Sequence, residues 1–173
     1  MALILSVRGF NPKYGKNCYF SENSSIIGDV IMGDDCTVWF NAVIRGDVNS
    51  VRIGNKVNIQ DGAILHTTFK KSIITIGDNV SIGHNVIIHG ATIKSNVLVG
   101  MGAIIMDHAI IGENSIIAAG AVILENTIVE PGSIYGGVPA KKLKSVEEKQ
   151  TKEMIERIAD NYLIYADWYK KDK

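Results

Sequence analysis

Histidine is the residue type in this chain whose chemistry and spacing could build a reactive site. The four histidines are His66, His84, His89 and His108. A catalytic zinc ion takes three protein ligands, and imidazole nitrogens bind it at about 2.0–2.1 Å. A lone surface histidine is more often only a solvated side chain. Whether any of these histidines can lie close enough to share an ion depends on the secondary structure that carries them.

The composition sets broad limits on fold and partners. The chain has 173 residues, which is about one domain, and its 18 basic and 18 acidic residues give zero net charge. That balance gives no electrostatic reason to expect nucleic acid or a membrane as partner. The apolar run near Met1 is too short for a signal peptide or a membrane span. It predicts a strand in a cytoplasmic protein.

A six-residue repeat of aliphatic side chains runs through most of the chain, with irregular steps at 44–53, 65–76 and 88–93. Residues two apart on a strand face the same way. The residue two before each repeat position is small or valine, with the exception of Ile74, which stands two before Ile76. The repeat predicts a triangular parallel β-helix with the large residues inside, whereas the turns of a sandwich would not keep this phase. The repeat positions are Ile26, Met32, Val38, Ile44, Ile53, Ile59, Leu65, Ile76, Ile82, Ile88, Ile93, Val99, Ile105, Ile111, Ile117, Ile123, Val129 and Tyr135. These eighteen steps make six coils, and Tyr14 and Phe20 suggest one more.

The pattern becomes helical after residue 144. Ser145 is predicted as the N-cap of a helix that packs along the coil. We therefore predict a β-helix domain over residues 1–144 and a C-terminal α-helix over 145–173. The two cysteines, Cys18 and Cys36, form no CxxC motif and lie one coil apart at small interior positions. They are predicted to be buried thiols rather than a site.

The repeat places three histidines on two ladders. His66 and His89 each follow a core aliphatic residue, and those positions are one coil apart, so the side chains should stack about 4.8 Å apart. Arg45 holds the same position one coil earlier. His84 lies around the preceding corner, one coil above Asp61. Gln60 stands next to that aspartate in the sequence.

The two ladders become one site only if two copies of the chain meet. His84 and His89 are five residues apart around a bend, too far to share one ion within a chain. If a second copy docks its His84 against His66 and His89, three imidazoles converge, and Arg45 of one chain meets Asp61 of the other. Three such contacts would close a trimer. Spacing alone leaves metal binding and ordinary surface histidines both open.

Five short motifs resemble those of the γ-class carbonic anhydrases, over roughly residues 10–144: Arg45-Gly46-Asp47, Asn58-Ile59-Gln60-Asp61-Gly62, Leu65-His66, Gly83-His84-Asn85 and Ile88-His89-Gly90. This family belongs to the hexapeptide-repeat superfamily, whose β-helix is left-handed. The resemblance implies a homotrimer that hydrates CO2 to bicarbonate reversibly. Zinc, or alternatively iron or cobalt, would lie between subunits, bound by His66 and His89 of one chain and His84 of its neighbour.

The resemblance also implies roles for other side chains. Gln60 would orient the bound hydroxide or CO2. Arg45 would lie near bicarbonate and pair with Asp61 across the interface, while Asp47 orders this network. Tyr162, on the terminal helix, is expected to reach the pocket.

The chain departs from the family pattern at two places. Val48 stands where the best-studied members have a glutamate. The loop at 67–72 has no carboxylate, whereas those members carry a longer acidic loop that supplies a proton shuttle. Proton removal is therefore expected to use buffer, water or another side chain. These departures argue against fast turnover but not against metal binding.

Two other functions share this fold class. The first is an acyl-CoA-dependent acyltransferase, because Gly136-Gly137-Val138-Pro139-Ala140-Lys141 resembles the segment that ends the coil of such enzymes, and His66 or His108 could act as general base. The second is a non-catalytic metal-binding or assembly protein, which would fit a metal site without shuttle residues. Metal content separates the acyltransferase from the other two.

Overall fold

The computed structural model describes residues 1–171 and shows a parallel β-helix followed by one helical segment. The strands, in chain order, are β1 (Leu3–Leu5), β2 (Lys13–Tyr14), β3 (Tyr19–Phe20), β4 (Ser25–Met32), β5 (Thr37–Val38), β6 (Val43–Ile53), β7 (Asn58–Ile59), β8 (Ile64–His66), β9 (Ile74–Ile76), β10 (Ser81–Ile82), β11 (Ile87–His89), β12 (Thr92–Ile93), β13 (Leu98–Val99), β14 (Ile104–Ile105), β15 (Ile110–Ile111), β16 (Ile116–Ile117), β17 (Val122–Ile123), β18 (Ile128–Val129), β19 (Ser133–Gly137) and β20 (Ala140–Ser145). The predicted all-β parallel β-helix with a C-terminal helix is confirmed.

The strands stack into three faces. The helix-covered face holds seven parallel strands, β3, β5, β7, β10, β13, β16 and β19, so the chain makes seven coils, and β20 closes it antiparallel. The histidine face contains β8, β11, β14 and β17, and the second face contains β9, β12, β15 and β18. The long strands β4 and β6 cross the bend between these two faces, which makes one twelve-stranded sheet. The extra coil suggested by Tyr14 and Phe20 is present at the N-terminal end.

The interior is filled as the repeat predicts. All eighteen repeat positions lie in one hydrophobic cluster. Burying one such isoleucine contributes about 1.5–3 kcal/mol. Asparagine allows the tight turns, because it tolerates the left-handed conformation: Asn79 and Asn96 have φ of 55° and 56°, and their side chains hydrogen-bond between coils at 2.8 Å.

The three irregular steps of the repeat all fall at one corner. They follow Ile44, Leu65 and Ile88, which are paired with one another on three successive coils. Two of the steps insert extra chain there and one shortens it, so the regular six-residue turn is interrupted on three successive coils at this corner. Arg45, His66 and His89 begin these steps.

The C-terminal helix runs from Glu148 to Lys171 as α1 (Glu148–Gln150), a π-helical stretch (Thr151–Glu156) and α2 (Arg157–Lys171). The predicted N-cap at Ser145 is wrong, because Ser145 extends β20 by pairing with Ser133. Glu147 is the N-cap instead, and its backbone N–H donates to Gln150 Oε1 at 3.1 Å. Residues 172–173 of the predicted helix lie outside the described residues.

The helix covers its face of the coil with two apolar contacts. Ile155 packs with Leu98, Ile116 and Ile134 on the outer side of the strands. Nearer the N-terminal coils, Ala166 packs with Tyr19 and Trp39. Within residues 1–171, no helix is both long and apolar enough to cross a membrane.

Candidate metal centre

The first half of the candidate centre is the stacked pair on the histidine face. His66 and His89 are opposite one another on β8 and β11, as the repeat predicts, and their ring centroids are 5.3 Å apart. Because Ile44 pairs with Leu65, Arg45 continues the same ladder one coil lower. The predicted ladder of Arg45, His66 and His89 is therefore present.

Asp107 orients His89, and the sequence analysis missed it. His89 Nδ1 lies 2.8 Å from Asp107 Oδ2. Burial favours the neutral acid, but hydrogen bonds from Ser72, His89 and Thr68 outweigh it and lower the pKa of Asp107 below its ordinary value. A carboxylate on one ring nitrogen leaves the other free, which is the usual arrangement around a metal-binding histidine. Coil register is the sequence signal that points to Asp107. Ile105 pairs with Ile88, and Asp107 comes two residues after Ile105, as its turn begins.

Asp47 links the other members of this half-site. Arg45 Nη1 donates to Asp47 Oδ2 at 2.6 Å, and His66 Nε2 lies 3.3 Å from Oδ1. Burial opposes ionisation of Asp47, but the hydrogen bond and charge of Arg45 lower its pKa. Burial, followed by the charge of Arg45, lowers the pKa of His66, so its imidazole is neutral at pH 7, the form that binds metal.

Arg8 joins two segments beside this half-site, and no sequence pattern selects it. Its Nη1 donates to the carbonyl oxygens of Asp47 at 3.2 Å and Val48 at 3.4 Å. Its guanidinium carbon lies 5.5 Å from the centroid of the Phe69 ring. The N-terminal segment thus supports the bend within β6 and the loop after β8 together.

The second half of the candidate centre lies around the preceding corner. His84 Nδ1 is 2.9 Å from Asp61 Oδ2, and the Asn85 N–H donates to the Asp61 carbonyl oxygen at 2.9 Å. The hydroxyl of Tyr162, on α2, lies 3.4 Å from His84 Nε2. Burial, with a smaller effect of Asp61, raises the pKa of Tyr162 to about 12, so this hydroxyl keeps its proton at neutral pH.

An apolar cleft opens beside His84, between α2 and the helix-covered face. It has a volume of about 440 Å³. Gln60, His84 and Tyr162 line one end, and Leu98 and Ile116 line the apolar wall. Gln60 is buried and donates its Nε2 to the Asn58 side-chain oxygen at 2.9 Å.

The histidine face carries an apolar surface of its own next to His66 and His89. Its outward-facing residues form one column up the strands, Val43, Ile64, Ile87, Ile104 and Val122. Ile64 is 43% exposed and Ile87 is 37% exposed. Each half of the candidate centre is therefore flanked by apolar surface.

One chain does not gather the three predicted ligands. Among residues 1–171, no three histidine, cysteine or acidic side chains are placed to hold a metal ion together. His66 and His89 are together, and His84 is with Asp61, Gln60 and Tyr162. His108 is exposed in a corner turn with φ of 59°.

The chain was compared with known proteins. It is 45% identical over 168 residues to a carbonic anhydrase of Geobacillus kaustophilus, covering 97% of this chain and 91% of that one. It is 33% identical to the mitochondrial gamma carbonic anhydrase 2 of Arabidopsis thaliana, covering 94% of this chain and 60% of that one. The chain belongs to the γ-class carbonic anhydrase family.

Two further matches broaden the range of functions found on this fold. A family model described as Dynactin subunit 5 matches residues 13–168. A crystal structure from Bacillus cereus, provisionally named an acetyltransferase, superposes with a TM-score of 0.94 at 35% identity, covering 99% of each chain. Proteins similar to this chain therefore include some that are named for a role other than carbonic anhydrase.

Proposed function

We propose that this γ-class family member is a zinc-dependent carbonic anhydrase whose metal centre forms between subunits of a homotrimer. His66 and His89 of one subunit and His84 of the next would hold the metal. One observation carries the proposal. A single chain holds a pair of imidazoles, His66 and His89, and a separate third one, His84, and each of the three lies beside a carboxylate.

The donor set suits zinc. In His89, Nδ1 is held by Asp107, which leaves Nε2 available as a ligand. In His84, Nδ1 is held by Asp61, and the Tyr162 hydroxyl, 3.4 Å from Nε2, would give way to the metal. The lowered pKa of His66 favours the neutral ring that a metal requires. Three imidazoles with an open fourth position are the pattern of catalytic rather than structural zinc.

The apolar surfaces support the proposed assembly. The column through Ile64 and Ile87 stands beside one half-site, and the cleft lined by Leu98 and Ile116 stands beside the other. The exposed column is an apolar patch of the kind that marks interaction surfaces, and the cleft offers a concave apolar site for such a patch. A partner that fills the cleft with the column of its own histidine face would bring the half-sites together and bury both surfaces.

The side chains around the centre fit CO2 hydration. When bound, zinc lowers the pKa of a coordinated water to near 7 and so supplies a nucleophile at neutral pH. The Arg45 guanidinium, fixed by Asp47, would stabilise the negative charge of bicarbonate, while the buried amide of Gln60 would orient CO2 beside His84. The hydroxyls of Ser72 and Thr68 donate to Asp107, which holds His89. The loop at 67–72 would therefore help to orient this metal ligand, and it has no carboxylate that could act as a proton shuttle.

One preparation of the full chain, purified without oxygen, tests the proposal. We expect about one zinc per chain by elemental analysis. We also expect CO2 hydration in stopped flow that is lost on chelation and restored by zinc. Absence of metal would overturn the proposal, whereas metal without hydration would favour a non-catalytic role. Release of free thiol from acetyl-CoA by the metal-free protein, dependent on an added amine or hydroxyl acceptor, would favour the acyltransferase that the Bacillus cereus neighbour suggests.

A further inference from the structure

Two thiols face each other at the N-terminal end of the coil, away from the metal centre. Tyr19 pairs with Thr37, and the Tyr19 N–H donates to the Cys36 carbonyl oxygen at 2.9 Å, so Cys18 lies directly below Cys36 on the next coil. Both cysteines are free. Cys36 is fully buried as predicted, but Cys18 is only partly buried, because it belongs to the first coil, which is covered on one side only.

The backbone spacing suits a bond between the two sulfurs. Neighbouring strands are about 4.7–4.9 Å apart, and the Cα atoms of disulfides are about 4.4–6.8 Å apart. Both sulfurs lie in the same interior corner: Cys18 Sγ contacts the Gly33 carbonyl oxygen at 3.4 Å, and Cys36 Sγ contacts the Gly54 carbonyl oxygen at 3.2 Å. The first coil is paired on one side only, so its strand can adjust to the bond.

The two thiols differ in the way that stepwise oxidation requires. A hydrogen bond from the Cys36 side chain lowers the pKa of Cys18 to about 7, and burial only partly opposes it. The same hydrogen bond, together with burial, raises the pKa of Cys36. Cys18 is therefore partly thiolate at neutral pH and partly exposed at the end of the coil, while Cys36 is a buried, protonated thiol on the next coil.

We propose that Cys18 and Cys36 are a peroxide-sensitive pair that forms a disulfide between the first two coils. The Cys18 thiolate attacks one oxygen of a hydroperoxide, the O–O bond breaks, and hydroxide (or alkoxide) leaves, giving a sulfenic acid. Cys36 sulfur then attacks Cys18 sulfur, the S–O bond breaks, and water leaves with the Cys36 proton. The two thiols lose two electrons and the peroxide gains them.

Exposure of the full-length protein to hydrogen peroxide, followed by intact-mass analysis, tests the pair. We expect the wild-type chain to lose two hydrogens without crosslinking to another chain. The disulfide should raise the thermal midpoint by several degrees, and a thiol reductant should reverse the shift. Retention of both thiols, or a bond between two chains, would overturn the proposal.

Two variants separate the roles of the sulfurs. Alanine occupies the corresponding interior position of the neighbouring corner, at Ala42 and Ala63, so Cys36→Ala should fold. This variant should accumulate a Cys18 sulfenic acid that reacts with dimedone. Cys18→Ala should leave Cys36 unreacted at the same peroxide concentration. If Cys36 reacts without Cys18, or if Cys18 takes no dimedone in Cys36→Ala, the assigned order of steps is wrong.

Discussion

The two halves of the candidate centre are built differently. The His66 and His89 side chains lie at the irregular corner. The inserted chain after Ile44 carries Asp47 to His66, and Asp107, from the next coil, lies beside His89; these carboxylates are only 22% and 17% exposed. His84 lies on a regular six-residue step. Its partner Asp61 is 41% exposed, about twice as much as Asp47 or Asp107, and His84 itself is 40% exposed, against 19% for His66 and 34% for His89. The first half is organised by its own chain, whereas the second presents one ligand outward. This difference is what a site completed by a second subunit needs.

The largest effect should come from removing the outward-facing ligand. His84→Ala should lose the metal and CO2 hydration entirely while keeping the β-helix, because the coil interior is untouched. Elemental analysis and circular dichroism measure the two outcomes, and His108→Ala, an exposed histidine outside both halves, is the matched control. Stoichiometric metal in His84→Ala would show that the two halves do not complete each other.

The apolar column should matter almost as much, although it contains no ligand. Ile87→Glu places a charge in the proposed interface, so the protein should become monomeric and lose most of its metal. Ile110→Glu is the matched control: Ile110 is the equivalent outward residue on the second face, with 38% exposure against 37%. Light scattering measures the assembly. Equal behaviour of the two variants would remove the histidine face from the interface.

The orienting carboxylates should have intermediate effects. Asp107→Asn should weaken zinc binding about 10–100-fold, because the His89 ring loses its charged partner. Asp61→Asn should do the same for His84. Competition with a chelator of known affinity measures both. If only Asp107→Asn weakened binding, His84 would not be held by Asp61 in the assembled protein.

The smallest effect should follow from Tyr162→Phe. Its hydroxyl is 3.4 Å from His84 Nε2, a long contact for a hydrogen bond, so CO2 hydration should fall by less than about tenfold. Metal content should stay the same. Loss of metal would mean that the helix holds His84 in place, which would make the second half as strongly organised by its own chain as the first.

The sequence predicted the parts of the molecule that depend on spacing. A strict repeat fixes which residue lies above which, so the His66–His89 stack and the placement of His84 above Asp61 followed from counting. It did not predict that Asp107 bonds to His89, because register gives the position of a side chain but not the direction in which it points.

Two other features depended on tertiary contacts that no local pattern reveals. Ser145 matches a helix N-cap in sequence, but pairing with Ser133 extends β20 through it and moves the helix start to Glu147. Arg8 lies far from the site in sequence and is exposed, so nothing local connects it to the carbonyl oxygen of Asp47. Within one chain Arg45 bonds to Asp47, and its pairing with Asp61 of a neighbour stays a prediction.

Mixing two inactive variants tests most directly whether the centre forms between subunits. His66→Ala and His84→Ala should each lack metal when purified alone. If equal amounts are unfolded together and refolded, an interface is complete only where an intact His66 and His89 pair meets an intact His84 from the neighbour. Random assembly then restores about one quarter of the wild-type metal and CO2 hydration. Restoration of neither would contradict the proposal that two chains share each site.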